Sequence, residues 1–282
     1  MDDIRKIKKI TKGEPGVDGA GVKLVRVIGY HDTKDYDPFL MMDAFDSHNP
    51  EDYVKGFPWH PHRGIETITY LIEGEIEHQD SLGNIGSINN GDCQWMTAGS
   101  GIIHQEMPKP SGRMLGAQIW LNLPAKYKMV PPKYGDIKHK DIPLIKEENS
   151  IVRIIAGNYK TTSGAFKAEY VKATYLDVEV QANSEWYYET EEDSTLFLYI
   201  LNGEGSFEPG SKEVITEKQA VLFANGKRVY VKSKDKGIRF LLLSAKPLNE
   251  PIAWGGPVVM NTKDELNRAF KELDEGDFIK HS

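Results

Sequence analysis

Cysteine is nearly absent from this 282-residue chain, where Cys93 stands alone. A single thiol excludes an intrachain disulfide and any multi-cysteine metal site, so a reducing compartment is expected. Cys93 itself reads as a small buried residue. Long apolar runs are missing too: none approaches the ~20 residues that span a bilayer, and no membrane insertion is expected. The N-terminal residues carry charges with no apolar stretch behind them, so the core of a secretory signal is lacking and the expected location is cytoplasmic. There is no excess of cations. Lys plus Arg number 35 against 42 Asp plus Glu, a formal net charge of −7, which disfavours direct nucleic-acid binding. The basic cluster Arg5 to Lys9 has acidic residues close on both sides and reads as a solvated edge. Histidine is scarce in the second half, which holds only His281, while the other seven lie between His31 and His139. Histidine chemistry therefore belongs to the first half.

What the chain has in abundance is two-residue periodicity. Val22 to Ile28, Glu66 to Ile72 and Ala117 to Leu123 alternate between turn residues and predict strands. Glu73-Gly-Glu75, Asn89-Asn-Gly-Asp92 and Asn202-Gly-Glu204 predict hairpin turns between strands. Many short, evenly spaced strands predict an all-β sandwich or barrel. The stretch 124–143 contains four prolines and no clear period, and reads as a linker. Beyond it, strands are predicted at 151–156, 167–180, 196–201, 220–225, 228–232 and 238–245. The expected organisation is a first β domain over 1–140, a second over 141–250 as a diverged copy, and a tail over 251–282. The tail should hold one helix. Thr262-Lys-Asp-Glu265 is a capping box, and Leu266, Phe270 and Leu273 share a face that should dock onto a barrel. Gly13 to Gly21 leads into a strand and not a helix, so it reads as turn structure and not as a phosphate loop.

The chemistry lies in two short patterns. In His60-Pro-His62 two imidazoles two residues apart point to the same side of an extended strand, as one metal ion requires, and His104-Gln-Glu106 repeats that geometry. Three neutral imidazoles and a carboxylate suit Fe(II), Mn(II), Ni(II) or Zn(II), with positions left open for substrate or O₂. Residues 36–106 hold 12 acidic against 2 basic residues, a field that favours a cation. Glu66 is a competing carboxylate, since His62-x-x-x-Glu66 shares a strand face in the same way, and spacing alone does not choose between Glu66 and Glu106. Trp95 and Met96 read as packing residues. His31, His48, His78 and His139 read as structural.

Taken together, Gly56-x-x-x-His-Pro-His-Arg-Gly-x-Glu-Thr67 and Gln94-Trp-Met-Thr-Ala-Gly99-x-Gly101-x-x-His104-x-Glu106-Met107 resemble the pirin family of the cupin superfamily. Asp37-Pro-Phe-Leu40 and Gly255-Gly-Pro-Val-Val-Met-Asn261 extend the resemblance over most of the chain. It implies two stacked cupin barrels (double-stranded β-helices, or jelly rolls), a C-terminal helix, and a mononuclear iron in the first barrel held by His60, His62, His104 and Glu106. Glu66 then becomes a supporting residue, and the second barrel carries no metal, in keeping with its want of histidine. Arg63, beside the ligands, and Gln118, on the strand Ala117 to Leu123, are candidate substrate contacts at the mouth, set against the commoner structural use of Arg and Gln in covering a barrel rim. The activity implied is that of a quercetin 2,3-dioxygenase, taking a flavonol or related aromatic enediol and O₂; on that hypothesis Glu106 is the residue expected to leave the metal briefly and accept the proton. The alternative, also implied by the family, is a non-catalytic, iron-dependent, redox-sensing protein that binds a protein partner as a transcription co-regulator. A sugar-phosphate isomerase on the same fold would need cations that the acidic segment lacks.

Overall fold

The computed structural model describes residues 3–281. They divide into two compact β units, and neither is a simple half of the chain. Among the described residues no helix is long and apolar enough to cross a membrane.

The unit that holds the histidine patterns comprises residues 14–34, 38–139 and 248–281. Its larger sheet has seven strands in the order Lys133–Ile137, Cys93–Thr97, Ile65–Glu73, Met114–Asn122, Phe39–Ser47, Val22–Ile28 and Glu14–Asp18. Its smaller sheet has four, in the order Phe57–His62, Ile102–Pro108, Ile76–Asp80 and Ile85–Ile88. Val22, Leu24, Phe45, Leu71, Ile76, Ile88 and Met114 fill the space between strands of both sheets, forming one end of the barrel core. Met114–Asn122 is buried at every position because strands flank it on both sides and side chains cover both of its faces. The stretch expected as a linker supplies an edge strand: Lys133–Ile137 pairs antiparallel with Cys93–Thr97. Its prolines lie outside the paired segment, where no ladder N–H is lost.

The other unit comprises residues 3–13, 35–37 and 140–247. Its dry core of Val, Leu, Ile and Phe side chains includes Val152, Leu176, Leu198, Val221 and Phe240. Residues 3–13 belong here and not with the first β domain in which the sequence order places them. Strand Ile7–Lys12 pairs with Gln219–Phe223, and the Arg5 guanidinium is fully buried. It donates to Thr190 Oγ1 at 2.9 Å and to the carbonyls of Ser194 and Ala224 at 2.9 and 3.1 Å. Arg5 is thus a buried anchor and not part of a solvated edge. Its five N–H groups can satisfy a cluster of loop carbonyls that would otherwise face no donor. Asn202-Gly203 is no hairpin turn either. It lies inside the long strand Thr195–Ser206, where the ladder to Arg228–Ala245 is broken by bulges. Gly203 has φ +80°, and a Cβ there would sit 2.2 Å from the Gly237 carbonyl, so the residue serves a bulge. The strands expected at 228–232 and 238–245 are one continuous strand.

The tail packs as its pattern predicts. Thr262 Oγ1 accepts from the Glu265 N–H while Glu265 caps the Thr262 N–H in return, starting helix Lys263–Asp274. Leu266, Phe270 and Leu273 meet Val258, Met260, Phe278 and the barrel residue Ile103. Two motif glycines make this close seat. A Cβ on Gly64 would lie 2.0 Å from the Val259 carbonyl, and one on Gly101 would lie 2.7 Å from that of Phe278.

Candidate metal centre

Strand Phe57–His62 forms an edge of the four-stranded sheet, which suits its two prolines. It runs antiparallel to Ile102–Pro108, with His60 opposite His104 and His62 opposite Ile102. The ladder shifts between His104 and Glu106, where the Phe57–His62 side carries an extra residue. The period of two then sends His60, His62 and His104 to one face. Their ring centroids lie 4.8 Å (His60 to His62), 4.4 Å (His60 to His104) and 5.0 Å (His62 to His104) apart. One potential ligand atom from each lies within 4.8 Å of the other two.

The hydrogen bonds of the rings show which nitrogens remain free. His60 Nδ1 lies 2.8 Å from the Pro58 carbonyl, and His62 Nδ1 lies 3.2 Å from that of Pro257. A carbonyl only accepts, so each Nδ1 carries the proton and each Nε2 presents a lone pair. His104 is fully buried, and neither of its ring nitrogens has a hydrogen-bond partner. Burial holds the His62 pKa down to about 3, with the neighbouring His60 adding to the effect. Burial also holds His104 well below the ordinary histidine value, helped by His62, His60 and His78. Two buried imidazoles held neutral, one of them an orphaned polar side chain, and a half-buried third with its Nδ1 already bonded bring three nitrogen ligands within reach of one divalent ion.

Glu106 lies on the strand of His104, two residues on, and is buried. Its carboxylate stands outside the three-histidine group. It accepts from Gln118 Nε2 at 2.9 Å on Oε2 and at 3.2 Å on Oε1, and from Thr69 Oγ1 at 3.3 Å. Gln118, weighed as a substrate contact or a structural residue, is a donor to Glu106. Glu66 also stands outside the group and accepts from Thr97 Oγ1 at 2.7 Å. Arg63 takes the structural role of the two weighed for it. Its guanidinium is 2% exposed, pairs with Glu272 at 2.7 Å, donates to the Phe278 carbonyl at 2.8 Å and lies 4.2 Å from the Phe278 ring centroid. It clamps the tail, because neighbouring His62 faces inward and alternation sends Arg63 the other way.

Sequence reasoning passed over several neighbours. Trp120 sets an edge-on ring contact of 4.9 Å against His62. His78, read as structural, is fully buried with its ring 5.3 Å from that of His104. Its partner was visible in the sequence: His78-Gln-Asp80 has the same two-residue spacing as the other two patterns.

Two antiparallel sheets closed around a core, with a cluster of three imidazoles on the inner face, define a cupin barrel with a candidate metal centre. The chain belongs to the pirin family: the Pirin model matches residues 21–121, and the model for the pirin C-terminal cupin domain matches residues 175–279. A Pseudomonas aeruginosa protein named "Putative quercetin 2,3-dioxygenase" is 40% identical, over 98% of this chain and 99% of its own length. Human pirin is 36% identical, over 91% of this chain and 88% of its own. The crystal structure of a quercetin 2,3-dioxygenase from Acinetobacter baumannii superposes with a TM-score of 0.89 at 31% identity, covering 98% of each chain.

Proposed function

We propose that the chain is a divalent-metal-dependent dioxygenase acting on a flavonol or related aromatic enediol, with Fe(II) as the working ion and Mn, Ni or Zn as substitutes. The observation that carries this reading is the set of imidazoles at His60, His62 and His104, each offering a ligand atom within 4.8 Å of the others, with both nitrogens of His104 unpartnered in a buried position. The names of its relatives support the substrate class. In this reading the three histidines and Glu106 hold the ion. A bound ion would acidify a ligating hydroxyl and keep substrate and O₂ adjacent.

The chain's own residues supply the rest. Glu106 takes the hydroxyl proton on a carboxylate oxygen, and Gln118 and Thr69 orient that carboxylate by donating to it. Trp120 and the tail residue Pro257 fix the plane of the His62 ring. Burial excludes water from His104. Oxygen uptake by iron-loaded protein, measured against a panel of flavonols and catechols, tests the reading. Flavonol-dependent uptake is the expected result. Ion binding with no turnover of any candidate would overturn it in favour of a metal-dependent protein that binds a protein partner.

A further inference from the structure

The Ile102–Pro108 strand lies between two neighbours, and so does His104. On one side is His60, directly opposite in the ladder, with its ring 4.4 Å away. On the other is strand Ile76–Asp80, which pairs His104 with Asp80 and Glu106 with His78. These pairs share one face of the sheet. His78 and His104 are both fully buried, and their rings are 5.3 Å apart.

Each ring has an unmet need that the other can meet. His78 Nε2 lies 3.2 Å from Asp80 Oδ2. The Asp80 carboxylate is itself held by the N–H groups of Leu82 and Asn84 and by Asn84 Nδ2, at 2.9 to 3.0 Å. A carboxylate surrounded by donors is an acceptor, so His78 Nε2 carries the proton and Nδ1 of the neutral ring is a lone pair. That Nδ1 is buried and has no partner. When one nitrogen of His104 faces an ion, its other nitrogen carries N–H and needs an acceptor in a place without water. Two imidazoles joined end to end by a hydrogen bond of about 2.9 Å have centroids about 5 Å apart, close to the separation observed.

We propose that His78 is a positioning residue for the metal centre, with Asp80 orienting His78 and the His78 Nδ1 lone pair receiving the second N–H of His104. The chain Asp80, His78, His104 thereby fixes the tautomer and ring plane of the most buried ligand. The inference rests on the three-histidine centre proposed above and assigns that centre a support on a strand that carries none of its ligands. His60 and His62 use backbone carbonyls for the same purpose. His104, deepest in the barrel, uses a side chain.

The test is Co(II) titration of full-length, chelator-stripped protein, followed by visible absorption. His78→Phe keeps a ring of similar size and removes the acceptor, whereas His78→Gln restores an acceptor oxygen. Affinity should fall about 10- to 100-fold in His78→Phe, with a changed cobalt spectrum, and recover to within a few-fold in His78→Gln. Retention of affinity within threefold in His78→Phe, or equal losses in both variants, would overturn the inference while leaving the metal centre in place. A wild-type chain that takes up no cobalt would overturn both. Should His78→Phe fail to fold, imidazole ¹⁵N spectra of the zinc-loaded wild type decide the matter. His78 protonated on Nε2 with a hydrogen-bonded Nδ1 is expected, and the Nδ1–H tautomer would refute the proposal.

Discussion

Metal-free protein should lose stability steeply in mild acid, and His104→Leu should remove about half of the part due to His62 and His104. In the unfolded chain each histidine takes up a proton as pH falls below about 6.5. In the folded chain His62 resists protonation down to about 3, and His104 resists well below its ordinary value, because burial disfavours the cation. Folded-state pKa values that lie below unfolded ones give stability that is intact above pH 6.5 and drains away as pH falls from there toward the folded values. At pH 5.5 the unfolded state gains about 1.4 kcal/mol from each such histidine, or roughly 2.8 kcal/mol for the pair. Leucine at position 104 takes no proton. The bond proposed from His104 to His78 is lost from the variant at both pH values and so cancels in the double difference. Urea unfolding with chelator present, at pH 7.5 and 5.5, gives the four free energies needed, and carboxylates common to both proteins cancel in the double difference. Tryptophan fluorescence is a suitable signal, because Trp59, Trp95, Trp120 and Trp254 all lie in the unit with the histidines. The variant should lose about 1.4 kcal/mol less than wild type between the two pH values. Equal losses would show that His104 is not held neutral by burial, and the argument for a preformed metal centre would lose its basis.

The tail offers a second perturbation. Arg63→Met removes the bonds to Glu272 and Phe278 and should cost about 2–4 kcal/mol, read as a lower unfolding midpoint and earlier proteolytic release of the C-terminal helix; an unchanged midpoint would show that the clamp is not needed. Lys128 donates to the carbonyls of Gly64 and Val259 at 2.8 and 2.9 Å and to Asn122 Oδ1. Lys128→Met removes this buried donor from all three acceptors, of which the Gly64 carbonyl keeps the Leu123 N–H at 3.3 Å, so a loss of about 2–3 kcal/mol is expected by urea unfolding. Glu106→Gln should lower flavonol-dependent oxygen uptake per bound ion by about 100-fold or more while most ion is retained, because an amide cannot take the proton. Equal activity per ion, with ion content measured on the same samples, would remove Glu106 from proton transfer. Gln118→Leu should also lower that rate, by less, since it frees the Glu106 carboxylate without removing it; a larger loss than in Glu106→Gln would refute the orienting role.

Local periodicity made much of this protein legible before any coordinates. An extended strand returns every second side chain to the same face, so His60 with His62, and His104 with Glu106, were bound to share faces wherever those strands went. The capping box at Thr262 and Glu265 is equally local, and the helix starts there. Pairing between distant segments is not local. Only the ladder sets His104 between His60 and the His78 and Asp80 pair. Only the docking of residues 248–281 turns Arg63 into a tail clamp, and only the pairing of Ile7–Lys12 with Gln219–Phe223 brings Arg5 into a buried nest of carbonyls. Asn202-Gly203 carries the local signal of a turn, yet the strand continues through it because Arg228–Ala245 holds the ladder alongside across a bulge. A side chain's direction along a strand is set by its own backbone. What it meets there is set by which strand arrives next to it and by how much water that arrival expels, and those are decided by the packing of the whole unit.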